Sequence, residues 1–281
     1  MAAQAAKSIV ACQICGGSGS RREFTVTRDD KYMQCLPIDK RTPARYWECA
    51  DCGCMLLIGG DVFDRAYSEG SYYGIEGEGP QQFLKRRFEQ VMNFPPAQSD
   101  NRARVTRIQD FLTRNEMSTG ERAVADIGAG MGVFLAAFKE SKAFQHWKSV
   151  AIEPEPHACE HIQRMLPDTK VLKGFSDAVR HPFEYDLITF NRVLEHIFNP
   201  LPVLQSERTH LRAGGVIYLE LPDAESFHAD GAGNEAFGYG HHVVYSRDGF
   251  MRLAEQTGFK VEELQQIKEP SGKFTIFGFL R

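Results

Sequence analysis

The stretch VADIGAGMGVF, Val124 to Phe134, limits what this chain can fold into more than any other. An apolar run of strand length carries Asp126. The glycines Gly128, Gly130 and Gly132 then alternate, and a second apolar run opens with helical spacing. Glycine is needed where a strand must turn into a helix within a few residues and where a ligand must approach the backbone, because a Cβ obstructs both. A dinucleotide fingerprint G-x-G-x-x-G/A wants a small residue at position 133, and Val133 stands there. The pattern is instead Asp-x-Gly-x-Gly-x-Gly, a strand–turn–helix unit for a different nucleotide-like ligand.

A regular alternation surrounds this unit. RAVADIG, KSVAIE, TKVLKG, YDLITFN, GGVIYLELP, FKVEELQQI and GKFTIFGFLR read as seven strands. GVFLAAFKE, PHACEHIQRML, PLPVLQSERTHL and RDGFMRLAEQTG read as helices between them. Ahead of them NRARVTRIQDFLTR sets Val105, Ile108, Phe111 and Leu112 on one helical face. Strands alternating with helices predict a mostly parallel α/β sheet whose ligand lies at the carboxyl ends of the strands.

The successive segments VADIGAGMGVFL, VAIEPEP, YDLITFNRVLEHIFNP and HLRAGGVIYLELPD resemble the ordered motifs of class I S-adenosylmethionine-dependent methyltransferases, over roughly residues 100–281. The resemblance implies a Rossmann-like, mostly parallel seven-stranded sheet and S-adenosylmethionine as cofactor. In that comparison Gly128, Gly130 and Gly132 face the methionine part, with Asp126 ordering the loop. Glu153 holds the ribose diol; Phe175, Ser176 and Asp177 border the adenine; Asn191 lies near the sulfonium.

The N-terminal part carries different chemistry. Cys12 and Cys15 in CQICGG, and Cys49 and Cys52 in CADCGC, form two C-x-x-C-G knuckles separated by thirty-three residues. Four thiolates close a tetrahedral Zn²⁺ site with no position left for a catalytic water, so the zinc is expected to be structural. So small a segment buries too little apolar surface to fold alone, and the metal supplies the missing stability. Cys54 reads as a core residue or spare thiol, Cys35 and Cys159 as free thiols. The arrangement resembles the zinc-ribbon-like domain that precedes many bacterial small-molecule and sugar methyltransferases. Residues 1–60 are thus expected to form that domain, 61–99 a connector or lid, and 100–281 the cofactor-binding domain. The connector YSEGSYYGIEGEGP offers Tyr72 or Tyr73 as a cover over the cofactor, Tyr73 being the one carried forward, against the alternative of a linker whose tyrosines only pack between domains.

Methyl transfer from a sulfonium is an in-line displacement, in which the protein aligns the reactants and excludes water. An alcohol or carbon acid also needs a base, and histidine suits that role near neutral pH. Two places supply one. NRVLEHIFNP brings Asn191, Glu195 and His196 to the end of the fourth strand. The long segment from Pro222 to Ser246 contains GYGHHVVYS, and connections of that length are usually functional or disordered. It resembles the Tyr-x-Glu-His pattern of sugar C-methyltransferases with a related zinc domain. Tyr239 and His242 fall on the tyrosine and histidine, and His241 stands where glutamate is expected. His242 is accordingly the candidate base or a pocket residue, while His241 is expected to be an exposed loop residue. Adjacent histidines seldom point at one centre, so a second metal at His241–His242 is not expected.

The net charge of −4 argues against a phosphate-gripping surface, and no apolar run is long enough to span a membrane. MAAQAAKSIVACQ lacks the apolar core of a signal peptide, so a cytoplasmic setting with reduced cysteines is the default expectation. The expected activity is methyl transfer to a small-molecule acceptor: a sugar, a sugar nucleotide or a secondary-metabolite intermediate. The alternatives are an RNA base methyltransferase with a zinc-ribbon recognition domain, and a non-catalytic zinc-ribbon module on a methyltransferase-like fold. The acceptor atom and the oligomeric state are not written in the sequence.

Overall fold

Side-chain alternation along the central strands builds the layers. Strand β4 (Ala123–Ile127) is buried at all five positions. Ala123, Ala125 and Ile127 point into one core and Val124 into another, as a strand covered on both faces requires. A computed structural model gives the architecture and describes residues 11–26, 43–59, 68–70, 72–73, 78–231, 235–238 and 240–281. Cys35 and Tyr239 lie outside these described residues.

The large sheet has seven strands in the order β10-β11-β8-β7-β4-β5-β6. Its parallel part comprises β4, β5 (Lys148–Glu153), β6 (Thr169–Lys173), β7 (Tyr185–Asn191) and β8 (Leu211–Pro222). The antiparallel strands β10 (Val261–Lys268) and β11 (Phe274–Leu280) complete one edge. From β4 the chain builds outward through β5 and β6, then returns to place β7 on the other side of β4. That reversal opens a crevice at the carboxyl ends of β4 and β7, where open α/β sheets bind ligands.

Helices cover both faces. Helix α1 (Pro80–Met92), inside the segment expected to be a connector, starts on Pro80, whose fixed φ suits a first helical turn. Helix α2 (Asp100–Arg114) is capped by Ser99, which accepts from the Arg102 N–H, and buries Val105, Ile108, Phe111 and Leu112 as their spacing predicted. These residues pack with α3 (Val133–Glu140) and α4 (Pro156–Met165) on one face. Helix α5 (Pro200–Arg208) contributes Leu204 to the other face, and the short helix α6 (Glu225–Asp230) follows β8. Leu211, read from sequence as the end of that helix, instead begins β8 opposite Tyr185. Backbone pairing with β7 there outweighs the helical pattern.

A second sheet has the order β1-β2-β3-β9. Strands β1 (Ser20–Val26), β2 (Ala44–Cys49) and β3 (Met55–Leu57) come from the N-terminal part. Its fourth strand, β9 (Val243–Val244), comes from the long segment after β8: Met55 pairs with Val244 and Leu56 with Val243. Phe237 and Ala236 of the same segment pack on this sheet beside Tyr46, Val26 and Met55. On the opposite side Ile14, Trp47 and Leu56 share a core with Ile188, Phe250 and Leu253 of the large sheet and its helix α7 (Arg247–Gln256). The described residues of the N-terminal part therefore share their cores with later segments of the chain.

Candidate functional site

The glycine turn leaves β4 with all three glycines at positive φ: +65° at Gly128, +54° at Gly130 and +77° at Gly132. A Cβ on Gly128 would lie 2.7 Å from Val193 Cγ2, which neither atom could accommodate. Gly132 is the N-cap of α3. The Gly130 N–H donates to Glu153 Oε2 at 2.7 Å, and the Glu155 N–H donates to Oε1 at 2.9 Å. Glu153 thus ties the end of β5 to the turn while retaining lone pairs for a diol. Burial pushes its carboxyl up to about 7 against those two hydrogen bonds.

Asp126 does not order this loop as expected. The parallel register places it beside Thr189, and its Oδ1 accepts from Thr189 Oγ1 at 2.8 Å and Asn191 Nδ2 at 2.7 Å. It therefore joins β4 to β7 and orients Asn191, whose own Oδ1 is buried without a hydrogen-bond partner. Burial pushes Asp126 up to about 7 as well. After β6, Phe175 is 41% exposed, Ser176 is buried and Asp177 is exposed. Tyr73 brings its hydroxyl over Gly130, where a Cβ would lie 3.3 Å from the oxygen. Burial, then the neighbouring Glu153, keeps that phenol protonated well above its usual range.

The four cysteines of the knuckles come together as their spacing predicted, with one sulfur from each within 4.8 Å of the others. Cys12 Sγ lies 3.7 Å from Cys52 Sγ, and Cys15 Sγ lies 3.5 Å from Cys49 Sγ. A Zn–S bond of about 2.3 Å gives a tetrahedral edge of about 3.8 Å, so the donor set fits zinc in number, type and spacing. Cys54 is fully buried outside this set, its sulfur against Gly249. Cys159 is a buried free thiol that donates to the Glu153 carbonyl. The knuckle is fastened to the large sheet's side of the molecule: Ser246 caps α7 and donates to the Cys52 carbonyl, and Gln256 Nε2 donates to Ile14 O at 2.7 Å.

At the end of β7, residues 194–196 form one short 3₁₀ turn, and strand β9 delivers the histidine pair to it. The His242 N–H donates to Glu195 O at 2.6 Å, and its carbonyl accepts from the Leu57 N–H at 2.9 Å. The His242 ring meets Phe198 edge-on at 5.7 Å. His241 is not the exposed loop residue expected. It is 9% exposed, its carbonyl accepts from Tyr46 Oη at 2.8 Å, and its ring stands edge-on to His196 at 4.7 Å. The small sheet causes this, because pairing β9 with β3 pulls the segment inward. His196 donates through Nδ1 to Gly240 O at 3.2 Å, and burial, reinforced by His242 and Arg192, holds its ring down to about 4.

Two features of this region escaped sequence reading. Glu220, aligned with Asn191 across β7 and β8, is gripped by Arg104, Arg107 and Tyr218 Oη. Those guanidiniums hold its carboxyl well below the usual range despite burial. A lone charge inside the apolar run GGVIYLELP was the available signal. Arg192 has φ +62°, a strained conformation for a non-glycine residue, and binds Glu235 at 2.5 Å. Among the described residues no helix is long and apolar enough to cross a membrane.

Comparison with known proteins agrees with this geometry. Residues 98–264, more than half of the chain, match the family model of a methyltransferase domain. The structure is similar to that of Streptomyces venezuelae DesVI (18% identity, 72% of this chain and 98% of that one, TM-score 0.53). It is also similar to the Burkholderia thailandensis 1,6-didemethyltoxoflavin-N1-methyltransferase, solved with its substrate and S-adenosylhomocysteine (13% identity, 83% and 96%, TM-score 0.53). With the glycine turn, Glu153 and the β4/β7 crevice in place, this chain belongs to the methyltransferase-domain family and has its Rossmann-like, mostly parallel sheet.

Proposed function

We propose that this enzyme methylates a small-molecule acceptor of the sugar, sugar-nucleotide or secondary-metabolite kind, with a structural zinc in its N-terminal part. The observation that carries the reading is the seating of His241 and His242 over the end of β7 by a strand of the zinc-bearing sheet. This encloses the acceptor side of the crevice with buried polar groups, a setting suited to a small ligand. The arginines around the strand ends are already engaged by Glu220, Glu269 and Glu235, which leaves little excess charge there for nucleic-acid phosphates. The Burkholderia enzyme offers a precedent for a small heterocyclic acceptor on this fold.

In this reading Gly128, Gly130 and Gly132 admit the methionine part of the cofactor, and Glu153 binds the ribose. Ser176 and Asp177 border the adenine, and Asn191, oriented by Asp126, lies at the sulfonium. Tyr73 covers the pocket from the connector. The zinc held by Cys12, Cys15, Cys49 and Cys52 fixes the small sheet and takes no part in the displacement.

S-adenosylmethionine bound in the crevice would supply an electrophilic methyl group, and an acceptor hydroxyl or carbon acid would give its proton to a base on this chain. His196, held near 4, is neutral but a weak base. His242 is the better candidate, and Tyr239 stands beside it as a catalytic candidate by the sequence pattern alone.

Calorimetry with S-adenosylmethionine and turnover against a panel of amino- and hydroxy-sugars and heterocycles test this. H242A is expected to cut turnover at least tenfold with cofactor affinity unchanged, and G130R to abolish cofactor binding. Unchanged turnover in H242A would retire the base assignment. Failure of the wild type to bind cofactor would retire the whole reading.

A further inference from the structure

Glu195 is fully buried, yet neither carboxylate oxygen has a hydrogen-bond partner. Among the described residues its nearest cation is Arg192, with Nε 3.9 Å away, and that guanidinium is already bound to Glu235 at 2.5 Å. A buried carboxylate without donors is costly, and such a group in a native fold calls for an explanation. Two imidazoles stand beside it. One ligand atom from each of Glu195, His196 and His241 lies within 4.8 Å of the other two.

The hydrogen bonds of the histidines specify their tautomers. A carbonyl oxygen only accepts, so the contacts of His196 Nδ1 with Gly240 O (3.2 Å) and of His241 Nδ1 with Ala236 O (2.8 Å) place the proton of each ring's neutral form on Nδ1. Each Nε2 then carries a lone pair. An Nδ1–H anchored on a backbone carbonyl is the outer-shell arrangement that orients metal-bound histidines. The cysteine site is separate, formed by other residues at the knuckles.

We propose that Glu195, His196 and His241 form a second metal site, for a first-row divalent cation of the Mn²⁺, Co²⁺ or Zn²⁺ type. Two imidazoles and one carboxylate suit such ions and leave coordination positions open. Ligand atoms around an ion at about 2.1 Å sit roughly 3 Å apart, so side-chain adjustments of about an ångström or two close the triad. The cation supplies the positive charge that Glu195 lacks. Its open positions, at the end of β7, would take an oxygen or nitrogen of the acceptor. That acceptor role rests on the function proposed above, whereas ion binding does not.

Titrating the zinc-loaded full-length protein with Mn²⁺, followed by electron paramagnetic resonance, tests the site directly. One Mn²⁺ per chain is expected in the wild type, with affinity reduced at least tenfold in both E195Q and H241N. Circular dichroism and melting temperature identify a variant that has not folded; in that case the other variant decides. Absence of Mn²⁺ binding at millimolar concentration, or binding unchanged in a folded variant, overturns the proposal. Calorimetry with S-adenosylmethionine on the same samples separates this outcome from failure of the methyltransferase reading: cofactor binding without Mn²⁺ binding removes only the metal.

Discussion

Tyr46→Phe deletes one hydroxyl and tests whether the small sheet β1-β2-β3-β9 positions the acceptor side of the site. Tyr46 is fully buried on β2, and its hydroxyl donates to the His241 carbonyl at 2.8 Å. The ring contacts of Tyr46 with Phe24 and Phe237 persist in phenylalanine, so packing is kept and the donor alone is lost. Removing one partner of a buried hydrogen bond costs about 1–3 kcal/mol. For a chain of this size that corresponds to a fall in melting temperature of roughly 2–10 °C. The same loosening acts on the His241–His242 segment, and misplacement by an ångström costs up to about a hundredfold in rate. A fall in kcat of about tenfold is expected, with S-adenosylmethionine affinity and zinc content unchanged, because neither the glycine turn nor the knuckles touch this hydroxyl. Scanning calorimetry, cofactor titration and steady-state kinetics read the three effects. A lowered melting temperature with normal kcat would refute the coupling, and an equal loss of cofactor affinity would show a general loosening instead.

Asp126→Asn keeps an oxygen for Thr189 and Asn191 while removing a buried charge. The folded pKa of Asp126 lies near 7, above its ordinary 3.8, so its contribution to stability is complete below about 3.8 and is lost as pH rises through 7. D126N should therefore match the wild type at pH 3.5 and exceed it at pH 8 by up to about 4 kcal/mol; parallel denaturation profiles across pH would contradict this. Glu220→Gln breaks a buried carboxylate away from Arg104 and Arg107, with an expected loss of about 3–5 kcal/mol in urea unfolding at pH 7. Because the folded pKa of Glu220 is depressed, its contribution is present above the ordinary carboxylate range and fades as pH falls toward the folded value; a deficit in E220Q that did not shrink on acidification would disprove the assignment. Cys49→Ser should remove one equivalent of zinc relative to the wild type by elemental analysis and lower turnover more than cofactor affinity; full zinc retention would remove Cys49 from the ligand set.

Local signals were legible because each rests on neighbouring residues. The apolar runs determined the central strands β4, β5, β7, β8 and β11, since a strand buried on both faces needs no polar positions. The glycines at 128, 130 and 132 announced a turn that only left-handed backbone makes, and all three have positive φ. The paired C-x-x-C knuckles announced four thiols that converge within 4.8 Å. Boundaries were less secure, as at Leu211, where pairing with β7 extended a strand into residues with a helical pattern.

What the sequence could not determine was set by pairings between distant segments. Asp126 faces Thr189 and Asn191 because parallel register aligns β4 with β7, sixty-odd residues later. Glu195 meets His241 because β9, only two residues long, completes a sheet begun near residue 20. No local periodicity marks Val243 and Val244 as partners of Leu56 and Met55. That register follows from burying Phe237, Tyr46 and Met55 together, a condition only the folded chain can satisfy. The sequence by itself determined the sheet, the turn and the cysteine donors; the tertiary structure decided which polar groups share one buried space.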